Sequence, residues 1–420
     1  MEIGYAQIEI TPEVGAELSG FAARVQPSTG LLDPLYAKAL YVTDGHERLL
    51  WIVCDLIGLP REFVEGFRRW ALEELDLEPR QVVISTTHTH SGPATIVLHE
   101  AGRYDPIYLE QLREQLIELA TATMEETEWC ELVAVEGRCD LAVDRRGQSS
   151  AHTDPRVAAF GWRREDGSFA AVLVNYAMHA VALGPENRRI SADWPGRCAA
   201  ALSDSLSGSP IVLVTNGACG NLNPPFENVT IEQLNEWGGQ VAAAVRDLLL
   251  EAPGDRRASL TVSSHVVTVP LEVLSVEQIA VYAEQALRNA AGIREWGDKF
   301  RRAVVTWRQH QTDAMQAGTA EVSADIELAA VRLGDRVLLG INAEVFSAFA
   351  DELRARFDLP VYTIGYTNGL VGYLPTATAY DEGGYELEMA HLFYDSFRMQ
   401  RGNLEHLADM AEQFIRDLVG

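Results

Sequence analysis

The stretch "QVVISTTHTHSGPA", residues 81–94, runs from an apolar, β-branched segment into two histidines and then a Ser-Gly-Pro turn. Residues 81–87 read as a buried strand. His88 and His90 fall just past its end, and a spacing of two would put both imidazoles on one face if the strand continued. Two histidines so placed pose a choice between a metal site and a polar loop.

The same pattern recurs along the chain. "RLLWIVCDL" (48–56), "FAAVLVNYAMH" (169–179) and "PIVLVTN" (210–216) read as buried strands, each ending in polar residues. Segments 61–75, 106–126 and 230–251 space their apolar residues by three and four, as half-buried helices do. This alternation predicts an α/β fold: mixed β-sheets flanked by helices in a single large domain, residues 1–420. Residues 275–316 read as a helical hairpin insertion hinged near Ala291–Gly292. "IELAAVRL" and "RVLLGINAEVF", separated by Gly334-Asp335, read as a β-hairpin. No internal repeat, low-complexity tract or Pro/Ser-rich linker is visible.

Sixty-one acidic residues against 34 basic ones give a net charge of −27, with no basic block. That argues against nucleic acid and anionic membrane as partners. The N-terminus lacks a positive segment followed by an apolar one, and no stretch approaches a membrane span, so neither a secretion signal nor an integral membrane segment is expected. Cys54, Cys130, Cys139, Cys198 and Cys219 form no CxxC pair. They are expected to be packed thiols in a reducing, cytoplasmic setting.

Strand ends are where α/β folds gather reactive groups. His46, His99, His265, His310, His391 and His406 lie in plain loop, strand or helix settings and read as structural; His152, in a loop, stays open. His88, His90 and His179 each follow a strongly apolar strand. A catalytic zinc takes neutral nitrogen or anionic oxygen donors. Glu344, between "RVLLGIN" and "EVFSAFADELRARF", is either an oxygen donor or a carboxylate opening a helix. The glycines of "TNGACGNLNPP" (215–225) allow close backbone approach to a substrate. Without a Walker lysine, and with Pro224–Pro225 removing donors, the loop is no phosphate cradle. Tyr366, Tyr373, Tyr380 and Tyr385 lie in a polar, glycine-rich segment as oxyanion donors or loop anchors.

Taken in order, "ITPEVGAELSGFAAR", "TTHTHSGP", "DRRG", "NYAMH", "ISADWPG", "GACGNLNP", "VRLGDRVLLGINAEVF" and "GYLPTATAYDEGGYE" resemble the catalytic domain of neutral/alkaline non-lysosomal ceramidases. The resemblance implies Zn2+ bound by His88, His179, Glu344 and Tyr373. His90 would be the general base or water-orienting group, and Arg145 and Tyr385 would stabilise the oxyanion. The implied activity is hydrolysis of an amide, an N-acyl ceramide-like bond, by metal-activated water. The family's Gly-Asp-Val-Ser-Pro-Asn loop stands here as Gly220-Asn221-Leu222-Asn223-Pro224-Pro225. Gly220, Asn221 and Asn223 are therefore candidate substrate-loop residues, and Asn223 closes a serine-nucleophile route. The family's C-terminal β-sandwich is not expected in residues 1–420. Two other readings stay open. One is a zinc enzyme on the same scaffold acting on a small polar substrate, a carbohydrate, ester or lactone. The other is a non-catalytic, zinc-stabilised binding protein. The expected partner is a small-molecule substrate, and a homo-oligomer is compatible with the sequence.

Overall fold

Strand Arg48–Cys54 explains why the sheets are apolar on both faces. In the computed structural model of the chain, which describes residues 1–290, 293 and 296–420, Leu49, Trp51 and Val53 enter one buried cluster while Leu50, Ile52 and Cys54 enter another. Alternation by two sends a continuous apolar run to both sides of a sheet, so such a strand must be covered on both.

Three mixed sheets follow one plan. The first joins Glu2–Glu9, Tyr36–Thr43 and Arg48–Cys54 antiparallel, crosses over through helix Arg61–Leu75, and adds Val82–Thr86 parallel to Arg48–Cys54. A short strand, Glu128–Trp129, lies on its other edge. The second repeats this with Glu131–Arg138, Arg156–Arg163, Phe169–Tyr176, helix Asp193–Ser205 and Ile211–Asn216. The third uses Leu260–Pro270, Ser323–Leu333, Arg336–Ile341, helix Ala348–Arg354 and Val361–Ile364. A final helix follows in each unit: Pro106–Glu125, Ile231–Glu251 and Asn403–Val419. The chain thus contains a threefold structural repeat that no residue pattern discloses.

The inner faces of the three sheets share one core, in which Trp51 and Val83 meet Phe160 and Leu213, and Leu338 and Ile364. Helices cover each outer face. At the C-terminal ends of the parallel pairs, the units are tied in a ring. Asn216 Nδ2 donates to the Thr87 carbonyl at 2.8 Å, Gly365 N to the Asn216 carbonyl at 2.9 Å, and Thr86 N to the Tyr366 carbonyl at 3.1 Å. This ring brings three strand ends to one place.

The expected helices are present, and the Gly334-Asp335 turn joins Ser323–Leu333 to Arg336–Ile341. The helical hairpin is Val276–Ala290 and Gly297–Ala317, inserted between the first two strands of the third unit. Its expected hinge, Ala291–Gly292, lies outside the described residues. Glu344 does not open a helix. It forms a two-residue strand, Glu344–Val345, paired with Tyr373–Leu374, and the helix begins at Ala348. A helix dipole therefore does not account for its carboxylate. Among the described residues, no helix is long and apolar enough to cross a membrane.

Candidate metal centre

His88 stands two residues beyond strand Val82–Thr86, and His179 and Glu344 each stand three beyond the third strand of their unit. Backbone carbonyls orient both imidazoles. His88 Nδ1 lies 2.6 Å from the Ile57 oxygen, and His179 Nδ1 lies 2.7 Å from the Cys219 oxygen. A carbonyl only accepts, so each Nδ1 carries the proton and each Nε2 presents a lone pair.

Those lone pairs converge. Ring nitrogens of His88, His90 and His179 lie within 4.8 Å of one another, with His90 Nε2 3.3 Å from His88 Nε2. Glu344 Oε2 lies 3.0 Å from His179 Nε2 and 3.5 Å from His88 Nε2. Burial pushes His179 down to about 4. Burial, with the His88 and His179 rings beside it, holds His90 well below the ordinary histidine range. Glu344 is buried against both of these rings. Ring nitrogens gathered beside a buried carboxylate form a donor set that suits a divalent transition metal.

Two tyrosines support the carboxylate. Tyr394 Oη donates to Glu344 Oε1 at 2.6 Å, and Tyr366 Oη lies 3.4 Å from both Glu344 Oε2 and His179 Nε2. The sequence pointed to Tyr366 only as one of several tyrosines and did not single out Tyr394. Tyr373 sits in register with Glu344. Its hydroxyl accepts from Arg145 Nη2 at 3.1 Å.

Arg145 is held on every side. Nε donates to Glu386 Oε1 at 2.9 Å, Nη1 to Asn223 Oδ1 at 3.1 Å, and Nη2 to the Gly220 carbonyl at 2.8 Å. Its guanidinium also lies over the rings of Tyr373 and Tyr385. Tyr385, 40% exposed, lines the same cavity as Arg145.

The cavity, about 400 Å³, opens on His88, His90 and Glu344 and is within the usual range for a small-molecule site. Phe21, Ile57, Leu98, Val181, Trp296 and Phe393 give it an apolar wall, and Arg145, Asn223 and Glu227 give it a polar one. The links between the first and second strands of all three units reach it, through Phe21, Arg145 and Trp296.

The loop of residues 215–225 serves the protein more than the cavity. A Cβ on Gly220 would collide with the Glu344 backbone, so the missing side chain admits that strand. Asn221 is buried, accepting from Ser347 N at 2.8 Å and donating to Asp144 at 2.7 Å. Of the three loop candidates, only Asn223 lines the cavity. Cys219 is buried against Tyr366, and burial raises its thiol to about 12, so it is inert. All five cysteines are buried and free. His152 lies away from the cluster, bonded to Ser347 at 3.0 Å and Asp351 at 2.8 Å. His99 and His310, read from the sequence as structural, converge on Asp395. Sequence spacing could not reveal this, because the three residues belong to distant segments.

No protein-family model matches the sequence, and the search of curated proteins finds no match. Among solved structures, neutral ceramidase from Pseudomonas aeruginosa aligns with a TM-score of 0.73 at 14% identity, covering 99% of this chain and 75% of that one. A ceramidase complexed with C2 gives the same values. At that identity the likeness is one of fold, and the fold implied by the sequence motifs, that of neutral ceramidase, is the fold this chain has along 99% of its length.

Proposed function

We propose that the chain is a zinc-dependent hydrolase cleaving an amide bond in an N-acyl, ceramide-like substrate. The observation that carries this reading is the junction of a neutral-nitrogen and carboxylate cluster with a cavity that is apolar on one wall and bears Arg145 and Tyr385 on another. His88, His179 and Glu344 would hold the metal, with Tyr373 in the remaining protein position. A zinc ion there supplies a Lewis acid and brings the pKa of water near 7.

The chain's own groups complete the chemistry. His90 Nε2, a neutral acceptor beside His88, takes the proton of the attacking water and returns it to the leaving amine. Arg145 and Tyr385 donate to the carbonyl oxygen as negative charge develops on it. The apolar wall takes the acyl chain. An open cavity at the cluster favours catalysis over a closed structural site. Asn223 and Glu227 on the polar wall favour the second reading, a small polar substrate attacked by the same groups.

The test is elemental analysis of wild type and His88→Ala, followed by turnover of a short fluorogenic N-acyl sphingosine. Zinc in wild type, depleted in the variant, together with turnover that depends on it, supports the amidase. Zinc without amide turnover, but with turnover of an ester or lactone, moves the reading to the polar substrate. Carefully prepared wild type that neither carries nor takes up zinc overturns both.

A further inference from the structure

We propose that His99, His310 and Asp395 form a second divalent transition-metal site, separate from the cluster of His88, His179 and Glu344. His99 belongs to the segment leading to the last helix of the first unit, His310 to the inserted helix Gly297–Ala317, and Asp395 to the segment before the last helix of the third. Among the described residues, only this group and that of His88, His90 and His179 bring three such donors within 4.8 Å of one another.

His99 Nε2 lies 3.2 Å from Asp395 Oδ2, and His310 Nδ1 lies 2.6 Å from the same oxygen. Donors about 2.0–2.2 Å from a tetrahedral zinc stand about 3.3–3.6 Å apart. The first pair, at 3.2 Å, is close to that spacing. The second is a hydrogen bond, and a small rotation of His310, whose side chain is 53% exposed, opens it. The hydrogen bonds present do not satisfy the group. His99 Nε2 and Asp395 Oδ1 are both buried without a hydrogen-bond partner.

The chemistry selects the ligand. Two imidazoles and one carboxylate suit Zn2+, Co2+ or Ni2+ and are too nitrogen-rich for Ca2+ or Mg2+. The exposed His310 side leaves room for water to complete the coordination.

The surroundings indicate what such a metal does. Helix Gly297–Ala317 is already pinned to the third unit, with Trp307 Nε1 donating to the Ser396 carbonyl and Gln311 Nε2 to the Asp395 carbonyl, both at 2.8 Å. His99 N donates to the Phe393 carbonyl at 2.8 Å. The neighbours of these ligands, Leu98, Phe393 and Tyr394, line the cavity. A metal here clamps three segments behind the cavity wall and holds Tyr394 against Glu344.

Metal-stripped full-length protein is titrated with Co2+, followed by its absorption spectrum, and checked by bound-metal analysis. Wild type is expected to bind about two equivalents, and His310→Ala and His88→Ala about one each, with different spectra. Zn2+ is expected to raise the melting temperature of His88→Ala but not of the double variant. His310→Ala binding as much Co2+ as wild type, with an unchanged spectrum, overturns the proposal. So does a wild type that binds one equivalent and loses it in His88→Ala. One equivalent lost only in His310→Ala would keep the second site and sink the first. His310 is exposed, so its variant reads the site even if His88→Ala fails to fold.

Discussion

The Tyr366 ring lies flat on the His88 ring, with centroids 4.0 Å apart and planes inclined by 16°. Both residues have φ of 54°, and both stand two residues beyond the last strand of their unit. A backbone hydrogen bond from Thr86 N to the Tyr366 carbonyl locks the two segments together. Groups that orient a metal ligand contribute about 10–100-fold to affinity. Tyr366→Ala is therefore expected to weaken zinc binding by about that factor, whereas Tyr366→Phe, which keeps the stack, stays much closer to wild type. Competition with a chromophoric chelator measures both, and equal affinity in Tyr366→Ala and wild type would count against this role.

Gly20 has φ of 98°, and a Cβ there would run into the His90 ring. Gly20→Ala is expected to displace His90 while leaving His88 and His179 in place. A misplaced base costs about 100-fold in rate. The assay is turnover alongside zinc content. Metal kept with turnover lost separates a base from a ligand, and loss of zinc as well would make His90 a ligand.

Arg145 reaches Glu386, Asn223, Gly220 and Tyr373 at once, which the single ammonium of lysine cannot reproduce. Arg145→Lys is expected to lower kcat and kcat/KM together by about 100–1,000-fold, the range for an oxyanion donor. Zinc content should not change. A rise in KM with kcat intact would place Arg145 in ground-state binding instead.

His391 is buried beside Trp307 and Tyr282, and burial, aided by Arg398, lowers it to about 3. Unfolded, it titrates near 6.5. Between those values the unfolded chain binds the extra proton, so stability falls as pH drops from about 6.5 towards 3, by about 1.4 kcal/mol at pH 5.5. Urea unfolding of His391→Leu and wild type, both metal-loaded, at pH 7.5 and 5.5 tests this. The variant is expected to lose less stability between the two, and an equal loss would assign the pH dependence to other groups.

Apolar runs closed by polar residues were legible because a strand covered on both faces admits little else, and the helices were legible from their spacing. His88, His90 and His179 stood out for the same reason, as imidazoles placed where such runs stop. The threefold plan was not legible. A buried face requires apolar volume rather than particular residues, so Trp51 in the first unit, Phe160 in the second and Leu338 in the third fill one core without any shared pattern.

By itself, the sequence determined the α/β alternation, the buried strands and the imidazoles at their ends, since these follow from neighbours a few residues apart. Only the tertiary structure decided that Glu344 is a strand residue, that Tyr366 and Tyr394 support the cluster, and that His99 and His310 meet at Asp395. Each of these joins segments tens to hundreds of residues apart. Their proximity is set by three sheets packing on one core and by the hydrogen bonds among Thr86, Thr87, Asn216, Gly365 and Tyr366 that draw the strand ends together.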